Sequence, residues 1–521
     1  MIITEILTKN AGEHSDETAL IYRDPEKGLR SEINWKEFDS ESNRLACALL
    51  ARGIQKGDKV ILLLMNNLEW LPAYFGILRT GALAVPINFR FNSDTLDYCN
   101  KKVQAKAMIF GEEFVDRINA IKTSLDKTIS DYIFVGPEAL QPDYAKSYKE
   151  FLGSGNEETP GIPLSIEDEA AVYFTSGTTG NPKGVLLTHG NLMAACEAEY
   201  HHHQQTHEDN FLCLPPLYHT GSKMHWFGNF FVGSKAVIQR GINPQWIFET
   251  VSEEKVTNVL LLVPWAHDIL ITIENKTIKL IDYDLDQWRL MHMGAQPIPP
   301  ALIKRWKSHF PFQQFDVTYG LTEATGPGCI HLGMENTHKV GAVGKPGYHW
   351  QCRIVDNNAT DLPPGEKGEL LVKGLGVMKA YFHDPEETAR TIIDGWLHTG
   401  DLAYRDEDGF IWLVDRKKDL VICGGENIYP IDVENFFLNF DKIRDIAVIG
   451  YPDERLGEVV AAVIEAKPGI NLTKEEILEY ASGLPKFQRP RKLFFGAVPR
   501  NPTGKIEKTK LREKYCQAHD Y

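Results

Sequence analysis

Apolar and polar positions alternate along the first 335 residues with the periods of helices and strands. In 34–52, Phe38, Leu45 and Leu49 fall near a helical spacing, and an apolar run at 60–64 follows. This alternation is typical of α/β layers built around a largely parallel sheet. Further helices are predicted at 67–79, 189–200 and 300–309, and further strands at 82–87, 170–174 and 256–263.

The pattern changes after about residue 335. Short strands are now punctuated by Pro, Gly, Asn and Asp, as in "KPGYHWQCRIVDNN", "LPPGEKGELLVKG" and "GFIWLVDRKKD", which is typical of antiparallel hairpins. From Ile431 onward, helix and strand patterns mix over about a hundred residues, a normal size for a small domain. We therefore expect an α/β protein: a large N-terminal domain of layered α/β subdomains with a β-rich subdomain, then a small α+β C-terminal domain.

Two other local features bear on function. The run "HHHQQTH" at 201–207 is interpreted as a solvated loop, with His-rich metal binding as the alternative. The eight cysteines are scattered without a C-x-x-C pair, which argues against a structural zinc site and against a disulfide framework.

Composition limits the classes of function. The chain has 521 residues, more than one hydrophobic core usually supports, with 43% hydrophobic and 24% charged residues. A formal net charge of −15 argues against nucleic acid or an anionic membrane surface as the main partner. No apolar run approaches the roughly 20 residues of a membrane span, and the N-terminus lacks a signal-peptide pattern. We expect a cytoplasmic protein without stable membrane insertion.

The stretch "YFTSGTTGNPKGVLLTHGNL" (173–192) joins a short apolar run to a predicted helix through a loop of Gly, Ser, Thr and one lysine. Small residues let backbone N–H groups converge on a phosphate, and hydroxyls add donors. The Walker pattern G-x4-G-K-[ST] is not matched, because Gly184 follows Lys183 where Ser or Thr is required. The sequence therefore predicts a phosphate-binding loop of another kind.

Five further stretches follow this loop in order. They are "LPPLYHTG" (214–221), "HMGAQPI" (292–298), "VTYGLTEATG" (317–326), "GWLHTGDLAYRDEDGFIWLVDRKKDLVICGGENIYP" (395–430) and "PRNPTGKIEK" (499–508). Each is weak alone, but together and in this order they closely resemble the adenylate-forming superfamily, in its acyl-CoA synthetase and aryl-CoA ligase branch. The resemblance extends from about residue 10 to residue 511.

The resemblance implies an enzyme that uses ATP, Mg²⁺ and coenzyme A with a small carboxylic acid. Attack of the acid on the α-phosphate of ATP would give an acyl-adenylate and pyrophosphate, and a thiol would then displace AMP. The catalytic residues would be Lys505, His219, Thr322 and Glu323, with Glu323 also the Mg²⁺ ligand. The nucleotide would be held by Thr175, Ser176, Gly177, Thr178, Thr179, Gly180, Lys183, Gly294, Ala295, Gln296, Tyr319, Gly320, Thr322, Asp401 and Arg416.

The same resemblance implies a mobile C-terminal domain. The chain would divide into residues 1–417, with the acyl and ATP sites, and residues 418–521, which carry Lys505 and turn about a hinge at Lys418. In the second orientation, Gly424 and Gly425 of "GGEN" would let the pantetheine of coenzyme A pass close to the backbone.

The acid is expected to be medium-chain, cyclic or aromatic rather than acetate. Acetyl- and propionyl-CoA synthetases, which this sequence resembles here, have a tryptophan where this chain has Gly320, so the pocket should have more room. No fixed cation stands among the expected lining residues, which disfavours a dicarboxylate. These residues are Met224, Trp226, Phe227, Met293, Gly294, Gly320 and Thr325.

Two alternatives stay open at this point. One is an acyl-AMP ligase that loads a carrier protein, although the chain has no excess length before the hinge for the insertion such ligases carry. The other is a nucleotide-binding protein without catalysis, against which the presence of Lys505, Glu323, His219 and Asp401 argues. The same residues would also serve the reverse reaction. Because dimers are common at this length, a homodimer is among the expected assemblies.

Overall fold

The computed structural model describes residues 1–175, 182–294, 298–424, 426–500 and 506–516. None of the helices in this part of the chain is long and apolar enough to cross a bilayer. The α-helices are α1 (Ile3–Glu13), α2 (Trp35–Ala51), α3 (Trp70–Arg79), α4 (Ser93–Val103), α5 (Val115–Asn119), α6 (Lys122–Leu125), α7 (Tyr148–Gly153), α8 (His189–His203), α9 (Thr220–Phe231), α10 (Pro244–Glu254), α11 (Val263–Glu274), α12 (Pro300–His309), α13 (Pro385–Thr391), α14 (Pro430–Leu438), α15 (Lys474–Tyr480) and α16 (Lys508–Cys516).

The strands form four sheets. In chain order they are β1 (Thr18–Asp24), β2 (Leu29–Asn34), β3 (Lys59–Leu63), β4 (Leu83–Pro86), β5 (Ala107–Gly111), β6 (Asp131–Val135), β7 (Lys146–Ser147), β8 (Glu169–Thr175), β9 (Lys183–Thr188), β10 (Asn210–Cys213), β11 (Lys235–Gln239), β12 (Asn258–Leu262), β13 (Leu290–Gly294), β14 (Gln314–Leu321), β15 (Gly326–His331), β16 (Lys345–Pro346), β17 (Trp350–Val355), β18 (Gly368–Gly374), β19 (Ala380–Tyr381), β20 (Ile392–Ile393), β21 (Trp396–Arg405), β22 (Ile411–Arg416), β23 (Val421–Cys423), β24 (Glu426–Ile428), β25 (Ile443–Asp453), β26 (Gly457–Ala466) and β27 (Lys492–Phe495).

Two large sheets with parallel centres make up most of the N-terminal part. One has nine strands in the order β16-β15-β14-β13-β12-β10-β11-β1-β2, and the other has eight in the order β19-β9-β8-β4-β3-β5-β6-β7. Pairing is parallel from β1 through β11, β10, β12 and β13 to β14, and antiparallel at both edges. The expected α/β layering with a largely parallel sheet is confirmed.

One buried cluster joins these two sheets. It contains residues of both sheets together with apolar faces of α2, α3, α8 and α9. Helix α2 begins at a capping box, in which Asn34 and Glu37 each bond the other's backbone N–H, and it buries Phe38, Leu45 and Leu49 as the spacing predicted. Gly76 on α3 lets this helix pack closely against α2.

The antiparallel hairpins after residue 335 are also present. Strands β17, β18, β21 and β20 form a five-stranded sheet with β22 paired to β21. The last sheet, β24-β23-β26-β25 with β27 paired to β26, has a hydrophobic core of its own between Val421 and Leu511. The expected architecture of a large N-terminal α/β part and a small α+β C-terminal part is confirmed.

The interpretation of 201–207 as a loop is wrong for its first three residues. Helix α8 continues to His203, which is fully buried, and ends where Gln204 adopts a left-handed conformation with φ of 47°. The helix extends this far because His203 packs inward against β13 and β14, a tertiary contact that a histidine-rich sequence does not indicate.

Gly76→Ala is expected to destabilise the protein although alanine favours helices. A Cβ at residue 76 would lie 2.9 Å from Cβ of Leu45 and 3.0 Å from the carbonyl oxygen of Ser42. We expect the free energy of unfolding to fall by about 1–3 kcal/mol, because α2 and α3 must move apart.

Calorimetry of the variant is the measurement, with Gly12→Ala on α1 as the matched control. A Cβ at residue 12 meets nothing within 4 Å, so its unfolding free energy should stay the same or rise by at most about 1 kcal/mol. Equal melting temperatures for the two variants would contradict the tight packing of α2 on α3.

Candidate active site

A cavity of about 1030 Å³ opens where the carboxyl ends of β12, β13 and β14 meet the start of β9 and the strands β21 and β22. Ligands of open α/β sheets commonly bind at the carboxyl ends of the strands. Its lining combines hydroxyl and charged groups with small and apolar ones. Nine of the site residues predicted from the sequence line this cavity: Thr175, Lys183, His219, Gly294, Gly320, Thr322, Glu323, Arg416 and Lys418.

Asp401 and Arg416 face each other across the β21–β22 pair, and the fold adds Tyr319 to them. Nε of Arg416 lies 3.0 Å from Oδ1 of Asp401, and the Tyr319 hydroxyl donates to Oδ2 at 2.6 Å. Burial and then the carboxylate of Asp401 raise the pKa of Tyr319 well above its usual value, so the hydroxyl keeps its proton and donates. Both oxygens of Asp401 are therefore fixed in orientation.

Glu323 lies in a single helical turn, Thr322–Ala324, directly after β14. Its Oε1 accepts a hydrogen bond from the hydroxyl of Tyr381 at 2.8 Å, and its backbone carbonyl accepts from the N–H of Met378. Tyr381 is on β19, at the edge of the eight-stranded sheet, so this contact ties the two large sheets together. The carboxylate of Glu323, which lines the cavity, offers the oxygen donors that Mg²⁺ prefers.

Lys183, the first residue of β9, forms an ion pair with Glu387 of α13 at 2.5 Å. Its ammonium also lies 5.2 Å from the centre of the Tyr381 ring. Hydrogen bonding from Lys183 holds the pKa of Glu387 below its usual value, and therefore the carboxylate of Glu387 is charged at neutral pH. The rest of the predicted phosphate loop, Ser176, Gly177, Thr178, Thr179 and Gly180, lies outside the described residues.

His219 caps the N-terminus of α9. Its Nδ1 accepts a hydrogen bond from the N–H of Gly221 at 3.1 Å. Burial, with Lys223 and His225 nearby, lowers the pKa of His219 to about 4, so the ring is neutral at pH 7. Because Nδ1 is the acceptor, Nε2 carries the proton and is a donor.

One turn further along α9, Lys223 is completely buried. Its ammonium lies 4.3 Å from the ring centre of Tyr74 and 4.4 Å from that of Tyr173, and it donates a hydrogen bond to the Tyr173 hydroxyl. Burial lowers the pKa of Lys223 well below its usual value. The lysine is not in the cavity wall, so it does not offer a cation to a ligand there.

The predicted acyl-pocket residues fall into two groups. Gly294 and Gly320 line the cavity. The aromatic and methionine side chains do not: Met224, Trp226, Phe227 and Met293 are fully buried in the hydrophobic cores, and Thr325 donates to the carbonyl of Gly376 at 2.6 Å. Helix α9 turns its bulky residues toward the sheets, because that face buries more apolar surface.

Five further residues of the cavity wall were not predicted from the sequence. They are Ser222 and His225 on α9, Leu260 and Leu262 on β12, and Thr318 on β14. Nε2 of His225 lies 3.0 Å from Oγ1 of Thr318, so the two polar groups satisfy each other. The sequence does contain a signal for them: His219, Ser222 and His225 are spaced three residues apart in a mostly apolar helix, which places them on one face.

The remaining predicted residues lie in the C-terminal part or outside the described residues. Gly424, with φ of 60°, forms the turn between β23 and β24. Ala295, Gln296, Gly425 and Lys505 lie outside the described residues, although Ile506, Glu507 and Lys508 line the cavity. Burial first, and then Arg416 and Arg512, lower the pKa of Lys418 to about 8 against the opposing effect of Asp419.

Comparison with known proteins identifies the family. Residues 7–382 match the model of the AMP-binding enzyme family, and residues 432–505 match the model of the AMP-binding enzyme C-terminal domain. The protein belongs to this family of adenylate-forming enzymes and is an acid–thiol ligase of its acyl- and aryl-CoA ligase group. The predicted superfamily is thus confirmed.

Three relatives illustrate the range of this group. The long-chain-fatty-acid–CoA ligase FadD13 of Mycobacterium tuberculosis is 30% identical over 500 residues, which is 95% of each chain. The structure of the anthranilate CoA ligase AuaEII with anthranoyl-AMP matches with a TM-score of 0.89 at 25% identity, covering 100% of this chain and 98% of that one. The o-succinylbenzoate-CoA synthetase MenE of Bacillus subtilis, in complex with ATP and magnesium, matches with a TM-score of 0.83 at 25% identity over 97% and 99% of the chains.

Tyr319→Phe is expected to lower stability, because the buried carboxylate of Asp401 loses its O–H donor. We expect a loss of about 1.5–3 kcal/mol in the free energy of unfolding, the usual range for a hydrogen bond to a charged group. Thermal melts at pH 7 are the measurement. The matched control is Tyr200→Phe, at a side chain that is 42% exposed. Equal melting temperatures for the two variants would show that the Tyr319 hydroxyl does not stabilise the fold.

Proposed function

We propose that this protein is an ATP-dependent acyl-CoA synthetase. It converts a carboxylic acid and ATP to acyl-AMP and pyrophosphate, and then transfers the acyl group to coenzyme A with release of AMP. The observation that carries the proposal is the composition of one cavity, whose wall contains Lys183, Thr322 and Glu323 together with Leu260 and Leu262. Such a cavity can hold a polyphosphate and an apolar acid side by side.

The chemistry explains why these residue types are needed. A carboxylate is a poor acyl donor because its leaving group would be oxide, whereas AMP leaves readily. The obstacle is the repulsion between an anionic acid and an anionic phosphate, so catalysis consists mainly of positioning and charge neutralisation. Lys183 can supply charge to the phosphates by exchanging its contact with Glu387 for them. When bound, Mg²⁺ supplies further charge neutralisation, with Glu323 as the residue that would hold it. Thr322 is proposed to bond the α-phosphate.

Asp401 is proposed to accept hydrogen bonds from both ribose hydroxyls of the nucleotide. Each carboxylate oxygen has two lone pairs, and each has used one contact, with Arg416 or with Tyr319. One acceptor position per oxygen is therefore left, in an orientation that is already fixed. This preorganisation lowers the entropic cost of holding the ribose.

His219 is proposed to donate through Nε2 to the carboxylate of the acid. A neutral imidazole suits this role, because it orients the nucleophilic oxygen without neutralising the charge that attacks the phosphorus. Lys505 is proposed to bridge that oxygen and the α-phosphate, where negative charge builds up in the transition state. The cavity-lining position of its neighbour Ile506 is consistent with this role.

The acid is proposed to be medium-chain, cyclic or aromatic. Gly320 leaves space at the cavity wall, and the floor of Leu260, Leu262 and the paired His225 and Thr318 presents a mostly apolar surface. Lys223 does not reach the cavity, so a second carboxylate would find no partner on this floor. FadD13 is named for long-chain acids and AuaEII for an aromatic one, and an apolar pocket of adjustable length suits both classes.

Coenzyme A is the proposed acceptor, with Gly424 and Gly425 flanking its pantetheine after the C-terminal part turns about Lys418. We also propose that the boundary between the two domains lies between residues 417 and 418. A carrier protein as acceptor is the second candidate, and a homodimer is compatible with either. The same groups would catalyse the reverse reaction when acyl-CoA, AMP and pyrophosphate are in excess.

The experiment that tests the function is pyrophosphate release from ATP with a panel of acids, each with and without coenzyme A. The panel contains acetate, butyrate, hexanoate, octanoate, palmitate, benzoate, cyclohexanecarboxylate and crotonate. We expect one class of larger acids to be preferred, with a thioester formed only when coenzyme A is present. Accumulation of acyl-AMP despite coenzyme A would favour a carrier protein, and no turnover with any acid would favour a non-catalytic role.

Lys505→Ala should slow adenylation by about 100-fold or more, because a charge that stabilises the transition state is lost. Formation of the thioester from added acyl-AMP and coenzyme A should proceed at the rate of the unaltered protein. The two half-reactions are measured separately by single-turnover kinetics. Lys474→Ala, an exposed lysine on α15, is the control and should change neither rate. Loss of both half-reactions in Lys505→Ala would overturn the assigned role.

Gly320→Trp should shift the preference of the enzyme toward acetate, because an indole at the cavity wall would occupy the space of a longer acid. The measurement is kcat/KM for acetate and for the best acid of the panel. Gly161→Trp serves as the control, since its Cβ would meet nothing within 4 Å in an exposed loop. An unchanged ratio in Gly320→Trp would mean that residue 320 does not border the acyl group.

A further inference from the structure

A group of charged and imidazole side chains is buried behind the cavity floor. Glu199 and His203 lie one turn apart on α8, His292 is on β13, Asp316 on β14 and His331 on β15. The first four are completely buried and His331 is 3% exposed. Ionisable groups that are buried away from water need charged or hydrogen-bonded partners. The contacts within this group therefore show which of its atoms still lack a partner.

Asp316 orients two of the histidines. Its Oδ2 accepts from Nε2 of His203 at 2.8 Å and from Nδ1 of His331 at 2.9 Å, while its Oδ1 accepts from the N–H of Gly333. With those nitrogens bonded to Asp316, the opposite ring nitrogens point toward Glu199. Nδ1 of His203 lies 3.0 Å from Oε2 of Glu199, and Nε2 of His331 lies 4.0 Å from Oε1.

The inner atoms of the group have no hydrogen-bond partner among the described residues. These atoms are both carboxylate oxygens of Glu199, both ring nitrogens of His292, Nδ1 of His203 and Nε2 of His331. One ligand atom each of Glu199, His203 and His292 lies within 4.8 Å of the others. Apart from the ion pair between His203 and Glu199, these buried polar atoms converge without bonding one another, which indicates that something else belongs between them.

We propose that this group binds one Zn²⁺ ion through Glu199, His203 and His292, with His331 as the fourth ligand. Zn²⁺ takes imidazole nitrogen and carboxylate oxygen in a tetrahedral arrangement at about 2.0–2.2 Å, so the ligand atoms need only a small inward shift. Ligating histidines typically donate their other N–H to a carboxylate, which is what His203 and His331 do with Asp316.

The charge and the ligand types favour Zn²⁺ over Mg²⁺. The two buried carboxylates, Glu199 and Asp316, balance a divalent cation, and imidazole suits zinc, whereas Mg²⁺ prefers oxygen ligands and retained waters. The absence of a C-x-x-C pair argued against a structural zinc site held by cysteines. It does not exclude this site, because none of the proposed ligands is a cysteine. With four protein ligands it would be a closed, structural site.

The proposed zinc site would hold β13 and β14 in place beside the cavity. His292 and Asp316 precede Gly294 and Thr318 by two residues on β13 and β14, and the ring of His225, which lines the cavity, lies 5.4 Å from that of His292. Because alternate residues of a strand share a face, an ion bound by His292, with Asp316 hydrogen-bonded to two of its other ligands, would fix the strands where Gly294 and Thr318 meet the cavity. This inference is independent of the proposed ligase activity.

Metal content of the full-length protein tests the proposal directly. The protein is purified from cells grown with added zinc, passed over a chelating resin and measured by mass spectrometry. We expect about one zinc per chain, and tetrahedral d–d bands in the visible spectrum after replacement by Co²⁺. The melting temperature should fall when a strong chelator removes the ion and recover when zinc returns. Less than a tenth of a zinc per chain, without a Co²⁺ spectrum or a chelator effect, would overturn the proposal.

Variants locate the ion. Glu199→Gln and His292→Asn should lose the zinc and the chelator effect, and Asp316→Asn should weaken zinc binding by about 10–100-fold. The matched control is His189→Gln, because His189 is another completely buried histidine of α8 without a hydrogen-bond partner, outside this group. His189→Gln should keep its zinc. Zinc that persists in both Glu199→Gln and His292→Asn would show that it binds elsewhere and would contradict the site.

Discussion

The arrangement of the cavity depends on the buried carboxylate of Asp401. It stands on the five-stranded sheet and is held from its own sheet by Arg416 and from the nine-stranded sheet by Tyr319. A carboxylate so buried is tolerated only when both oxygens are satisfied, so this contact fixes the relative position of the two sheets. The bond between Tyr381 and Glu323 does the same between the eight-stranded and nine-stranded sheets. The cavity exists because three sheets meet at these polar contacts.

The cavity wall combines charged and neutral groups. Lys183, Glu323 and Arg416 line the cavity and are partly accessible to water. His219 also lines it, and burial lowers the pKa of His219 to about 4, so its ring is neutral at pH 7. Lys223 lies outside the wall against the rings of Tyr74 and Tyr173, and burial lowers its pKa well below the usual value.

Behind the cavity wall, a group of acid and imidazole side chains is buried. Asp316 orients His203 and His331 toward Glu199, and His292 lies unpaired beside them. Buried polar atoms without partners lower the stability of the fold. The proposed zinc ion would give them a partner and would hold β13 and β14 in place. A metal site in this position would make the geometry of the cavity wall depend on an ion distinct from the Mg²⁺ proposed for Glu323.

The sequence by itself determined the architecture and the family. Helical spacing predicted α2 and α12, and turn residues predicted the hairpins after residue 335, because these signals are local. Ordered motifs identified the wall residues Thr175, Lys183, Thr322, Glu323 and Arg416, since phosphate and metal binding restrict residue type closely.

Only the tertiary structure decided which side chains form the floor of the cavity. Trp226 and Phe227 were predicted there from their proximity in sequence, yet α9 turns them into the core and presents Ser222 and His225 instead. The helical period alone does not say which face meets which neighbour. The burial of His203 likewise depends on Asp316, which is more than a hundred residues away in the chain. Long-range pairing of polar groups has no local signature, because its free energy arises only when burial removes the competing water.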